Sequence, residues 1–408
     1  MSLPGPPPAD SGPIESVWRS RDFRVCWGLT ALFNVAWGVV FPLRNLYFRE
    51  PWIGLSFQQI GWLGFVRSAT MASVPLLFGI LSDRSGRRKP WIMGGFLLSS
   101  AATALYLVSH TYWQLVGVTF LTAVAFIAYN LNVNALVTTT LHDKARGRQY
   151  GQYRVSGSIG YALATFALIP LVALDKTYSA TFLSGAGIYL ACLIVAFLGI
   201  KETPATGEAA SQWGAWREVL RERNLVILYA CLAVSSIGTS MGFQFLSNHL
   251  DETFHLSKTS IGRIVGLASI LEIPALIGLG WASDRWGRKP ILALAFIMGG
   301  VRWSLIGLAP SLGWVVVAQF LWGMGFAGYT VGVALITDLV RPAARGSAMG
   351  MLQLSWAFGS ILGPPLGGYL AEHIGLPIVF RVGGAFAIAG GVGLLAFLRP
   401  PDAVDATA

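Results

Sequence analysis

The chain has 408 residues, of which 54% are hydrophobic and 12% charged, and its mean hydropathy is +0.60. Soluble domains carry about 25% charged residues, so this composition excludes a water-soluble globular enzyme and fits a membrane protein, as do 48 glycines and 15 tryptophans. A formal charge of +10 raises the question of a nucleic-acid partner, while Cys26, Cys192 and Cys231 lie too far apart for a disulfide framework or a metal-ligand spacing.

Residues 1–17 contain five prolines and no apolar run. They read as a disordered tail without the apolar core of a signal peptide. A bilayer core about 30 Å thick takes about 20 apolar residues per helix. Six such segments follow, at 24–43, 58–81, 91–109, 112–140, 150–173 and 180–200. Six more lie at 224–248, 260–281, 290–308, 313–339, 345–370 and 376–398. The connection between the sets, 201–223, is polar and then basic, with Trp213, Trp216, Val219 and Leu220 on one side. It is expected to form an interfacial amphipathic helix. Residues 400–408 make a second short tail.

Lysine and arginine sort by loop. Twenty of the 29 fall on the side of the termini, and four, Arg44, Arg49, Lys176 and Lys258, on the other. This bias predicts a multi-pass inner-membrane protein with both termini cytoplasmic. It also removes the nucleic-acid partner, because the basic excess is a topology signal plus a small surplus of arginine at membrane depth.

The chain repeats itself. Gly79-Ile-Leu-Ser-Asp83-Arg84-Ser-Gly86-Arg87-Arg88 follows helix 2, and Gly280-Trp-Ala-Ser-Asp284-Arg285-Trp-Gly287-Arg288-Lys289 follows helix 8, with the aspartates 201 residues apart. Ala145-Arg146-Gly147 entering helix 5 is echoed by Ala344-Arg345-Gly346 entering helix 11. G-x-x-x-D-R-x-G-R-[RK] in these loops is the signature of the major facilitator superfamily, which the chain resembles over essentially its whole length. The resemblance implies an all-α membrane protein of twelve transmembrane helices in two pseudo-symmetric six-helix halves, 18–200 and 224–399, around a central cavity. It also implies that Gly79, Asp83, Arg84, Gly86, Arg87, Gly280, Asp284, Arg285, Gly287 and Arg288 gate the conformational change. The glycines would permit close helix approach, the aspartates would face helix amino termini, and the arginines would pair with acids such as Asp143 and Asp338.

Ionisable groups at membrane depth are costly and generally face a cavity. Glu272 stands 12 residues before Asp284, about 18 Å along helix 8. Arg302 stands 12 residues past Pro290, at similar depth in helix 9. The two are expected to offset each other, in a functional site or as a structural ion pair. Arg67 and Arg154 are further charges at depth, whereas Arg263 and Arg381 lie where they can snorkel. The five histidines fall in loops or helix ends. The amides Asn34, Gln244 and Gln353 are expected to face the interior. Trp37, Phe41, Phe243, Phe245 and Trp356 could line a cavity, with packing or lipid exposure as the alternative. Gly323-Met-Gly325-Phe-Ala-Gly328 fits G-x-G-x-x-G, but without a preceding strand it reads as helix packing.

Arg154-Val-Ser-Gly157-Ser-Ile-Gly160-Tyr161 is similar to the helix 5 pattern of the galactoside, oligosaccharide and nucleoside proton symporters. The stretches around Glu272 and Arg302 resemble the helix 8 acid and helix 9 arginine of the lactose permease group. These resemblances imply that Arg154 binds solute hydroxyls and that Tyr161 stacks on a sugar ring. The chain departs from that group at Leu136, where its helix 4 acid would stand, amid Asn130, Asn132 and Asn134. It departs again near Trp322 and Gly325, the register of the group's proton-coupling His and Glu, which leaves Glu272 to couple protons.

The expectation is a monomeric secondary transporter that is not an enzyme and holds no cofactor or metal. It would carry a polar hydroxylated solute (sugar, oligosaccharide or nucleoside) in proton symport. The solute would bind Asn34, Asn130, Asn134, Arg154, Tyr161, Gln244, Glu272, Arg302 and Gln353. A drug or sugar efflux antiporter is the alternative, and a non-transporting solute sensor a more distant one.

Overall fold

The computed structural model describes residues 17–141, 146–201, 219–341 and 344–398. Among them no β-strand occurs, and the helices make twelve passes. The first six are α1 (Arg21–Tyr47), α2 (Phe57–Ser85), α3 (Lys89–Leu105), α4 (Tyr112–Thr138), α5 (Arg146–Leu163) and α6 (Ser179–Gly199). The second six are α7 (Arg223–Phe254), α8 (Lys258–Trp286), α9 (Arg288–Leu308), α10 (Leu312–Gln319 and Trp322–Leu339), α11 (Arg345–His373) and α12 (Leu376–Phe397). Helix α5 continues through a π-helical stretch, Ala164–Leu168, and a last turn, Ile169–Val172. Of the expected tails and amphipathic connection, residues 1–16, 202–218 and 399–408 lie outside the described residues.

Within a bilayer every backbone polar group must be satisfied inside its own segment, which is why the apolar runs are helical throughout. Among the described residues, nine helices are long and apolar enough to cross a membrane unaided. Helix α8, bent by 42° beyond Pro274, makes a tenth. Proline lacks the N–H that would tie this turn to the preceding one. Helix α10, expected as one run, breaks instead at Phe320–Leu321. There the N–H groups bond three residues back, to Val317 and Ala318, at 3.1 and 3.0 Å.

The halves pair their helices alike. Contacts α1–α5, α1–α6, α3–α6, α3–α4 and α2–α4 in the first recur as α7–α11, α7–α12, α9–α12, α9–α10 and α8–α10 in the second. Between halves, α2 packs on α11 and α5 on α8, the repeat-related pair, with α1 on α7 near the axis.

These contacts between halves concentrate on the face opposite the chain ends, here the distal face. The Gln244 amide of α7 donates to the Ile60 carbonyl (3.3 Å), and Asn248 donates to that of Asn45 (3.1 Å). Glu372 of α11 caps the Phe57 N–H at the start of α2 (2.7 Å). Arg49 pairs with Glu252 (3.0 Å). A Cβ on Gly61 would stand 2.5 Å from the Pro364 carbonyl, and one on Gly266 would collide with Thr165 Oγ1. Backbones approach this closely only where side chains are absent.

Three expectations need correction here. Arg44 is no loop residue: α1 runs on to Tyr47, so Arg44 lies inside the helix at 6% exposure. His249 is fully buried within α7, between the Ile306 carbonyl and Thr253. Gly79 and Gly280 make no close helix approach, since a Cβ on Gly280 would meet nothing within 4 Å and one on Gly79 only Leu131 at 4.0 Å. The halves meet distally, so the close approach falls to Gly61, Gly64, Gly262 and Gly266 instead.

Candidate functional site in the central cavity

Between the halves lies a cavity of about 920 Å³. On the N-terminal side, Phe33, Trp37 and Phe41 recur every four residues along α1, so they share one face. Trp37 and Phe41 stack with centroids 5.1 Å apart. Arg67 of α2 lies over this wall, its guanidinium carbon 4.3 Å from the Trp37 ring centre and 5.6 Å from that of Phe41. It makes no hydrogen bond or ion pair among the described residues. Its donors therefore remain available to a solute.

The C-terminal wall holds its arginine differently. Arg302, 2% exposed, donates from Nε and Nη2 to Gln319 Oε1 at 3.1 and 2.6 Å. Gln319 in turn donates to the Ile264 carbonyl at 2.6 Å. The Arg302 guanidinium carbon lies 3.8 Å from the Trp303 ring centre and 4.7 Å from that of Trp322. Gln319 and Trp322 flank the break in α10, and both line the cavity. An amide inside an apolar helix was a legible signal for Gln319, by the same rule that picked out Gln244.

The expected pairing of Glu272 with Arg302 is not made. The Glu272 carboxylate accepts a hydrogen bond from the Trp322 side chain, and the cation acting on it is Arg154 of α5, in the other half. The reason is the insertion of α10 between α8 and α9. A Cβ on Gly323 would stand 2.7 Å from the Leu271 carbonyl of α8, and one on Gly325 3.2 Å from Gly299 Cα of α9. The glycine run thus packs helices, as expected, and parts the two charged groups.

Arg154, Tyr161, Asn130, Gln244, Arg302 and Gln353 all border the cavity. Asn134 supports Asn130 from one turn away, donating to its carbonyl (2.8 Å) and side-chain oxygen (3.0 Å). Glu272 is not among the lining residues, and neither is Asn34. Asn34 donates to the Thr30 carbonyl (2.8 Å) and packs against Gly157 of α5. Among the aromatics, Trp37, Phe41, Phe243 and Trp356 line the space, whereas Phe245 is fully buried.

On the opposite, basic face, Gly86 and Gly287 turn the signature loops at φ of 63° and 92°, a backbone region that favours glycine. Arg288 bridges Asp338 of α10 and, at 3.1 Å, Asp284. This network stays within the C-terminal half. Arg285 lies 5.5 Å from the Trp281 ring centre, and Arg84 is exposed. The Asp83 side chain and Asp143 lie outside the described residues.

A profile of the MFS_1 like family matches residues 30–382. Sugar efflux transporter A of Dickeya chrysanthemi is 25% identical over 372 residues, 86% of this chain and 90% of that protein. Multidrug resistance protein 1 of Bacillus subtilis (strain 168) is 29% identical over 180 residues, 44% of this chain and 46% of that protein. In fold, the chain matches the crystal structure of nucleoside transporter NupG with a TM-score of 0.78. That match covers 93% of this chain and 100% of the other at 16% identity.

Proposed function

The chain belongs to the MFS_1 like family of the major facilitator superfamily, and on that premise we propose that it moves a polar, hydroxylated solute across the inner membrane by alternating access. The solute is a sugar, an oligosaccharide or a nucleoside, carried in symport with protons. The observation that supports this reading is that Arg154, on the cavity wall in one half, is the opposing charge acting on Glu272 in the other. A guanidinium and a carboxylate give charge-assisted hydrogen bonds to neighbouring hydroxyls. A solute held by both would tie the halves together, while Tyr161 and the Trp37–Phe41 wall take its apolar face. Asn130, Asn134, Gln244, Arg302 and Gln353 complete the pocket, with Arg67 as an additional donor. Glu272 carries the coupled proton, and its protonation releases Arg154 from the opposing charge.

The basic face is assigned to the cytoplasm by the loop arginines. The distally sealed conformation is then the inward-facing one, and the signature loops, with their Arg288 pairs, close the cytoplasmic side in the alternate state.

Glu272→Gln in proteoliposomes tests the assignment. Accumulation driven by a pH gradient should disappear while solute exchange persists, and normal accumulation in the variant would refute Glu272 as the coupling acid. A second reading, efflux by proton antiport, is favoured by the likeness to sugar efflux transporter A. It predicts that solute leaves the compartment into which protons enter, so reversing the imposed gradient in the same vesicles separates the two.

A further inference from the structure

Behind the aromatic wall of the N-terminal half lies a second, small cavity of about 30 Å³. Trp37, Phe41 and Phe126 border both spaces. We propose that Arg44 holds a single halide-sized anion in this side pocket, independently of the solute in the central cavity.

Arg44 lines the pocket and is 6% exposed, yet its Nε has no hydrogen-bond partner. Its recorded contacts are the rings of Phe41 and Phe48, 5.6 and 5.8 Å from the guanidinium carbon. No carboxylate pairs with it among the described residues. Tyr106, 1% exposed, also lines the pocket, and its hydroxyl is likewise buried without a partner. Ser99 and Thr103 line the same pocket. A buried cation is costly to desolvate unless its donors find acceptors or an opposing charge.

The groups gathered here can all donate hydrogen bonds, and one is permanently positive, so they match an anion better than a neutral particle. Arg67 adds a second positive charge nearby, also 5.6 Å from the Phe41 ring centre. The volume sets the size. About 30 Å³ has room for one or two water-sized particles, the scale of a chloride or bromide ion and far below the roughly 920 Å³ of the central cavity.

The test is thermal unfolding of the purified full chain in sodium chloride or bromide against sodium gluconate at constant ionic strength. A ligand of the folded state raises the transition temperature saturably. The wild type should show that rise. Arg44→Met should lose it, and Tyr106→Phe should need about tenfold more halide, having lost one hydrogen bond to a charged partner. Crystals grown in bromide should give an anomalous peak between Arg44 and Tyr106, a readout that stands even if Arg44→Met fails to fold. A wild-type curve indifferent to halide, or bromide crystals with no peak in the pocket, overturns the site and leaves these donors to water.

Discussion

Both halves set an arginine against a pair of aromatic rings beside the cavity, and they do so to different ends. Arg302 lies against Trp303 and Trp322 and spends two of its donors on Gln319, which is itself tied to the Ile264 carbonyl. Arg67 lies against Trp37 and Phe41 with no hydrogen bond among the described residues. The aromatic platform alone therefore does not assign a role. What separates the two is the amide, which turns one guanidinium into a wall and leaves the other as a donor on the cavity wall. A buried arginine with a fixed partner contributes shape; one held only by ring faces, whose attraction is broad in angle, can turn toward a ligand.

The largest expected effect tests the locked side. Gln319→Leu leaves the Arg302 charge buried without its hydrogen-bond acceptor. Stability should fall by about 3–5 kcal/mol, read as a lowered transition temperature in detergent. Loss of under about 1 kcal/mol would show that Arg302 does not depend on the amide. Arg67→Ala tests the open side: solute affinity should drop about 10- to 100-fold, with stability changed by less than about 1 kcal/mol. Equilibrium binding and a melting curve on the same preparation measure both, and a variant that melts early but binds normally would reverse the assignment. Trp37→Leu removes the platform under Arg67, worth about 0.5–2 kcal/mol, so affinity should weaken severalfold with the melting point little changed. The smallest effect belongs to the distal ion pair. Arg49 and Glu252 have side chains 34% and 37% exposed, and Glu252→Gln should cost less than about 1 kcal/mol. Salt should erase that difference, whereas it should barely touch the Gln319→Leu deficit.

The twelve passes were legible because membrane helices announce themselves by length and hydropathy, and the helix pairing repeats as the duplicated loops imply. Depth along a helix does not translate into proximity between helices. Glu272 and Arg302 stand at similar depths on consecutive helices, yet α10 comes between them. Arg44 reads as a loop residue because charges are expected outside the bilayer, whereas α1 extends to Tyr47 and buries it. Gln319 carries the same signal as Gln244, an amide in an apolar helix, but that its partner is Arg302 emerges only from the packing of α10 on α9.

Composition, loop charge and the internal repeat were enough to determine a membrane bundle of two related halves. Each of these is a one-dimensional consequence of how a chain partitions between water and lipid. Which charges face one another was decided by the tertiary structure alone. Partners across a cavity depend on which helix packs between which, and on where small residues let backbones close. Glu272 takes its opposing charge from Arg154 of the other half, and not from Arg302, because glycines seal the distal face and seat α10 between α8 and α9, a packing result that no spacing along the chain encodes.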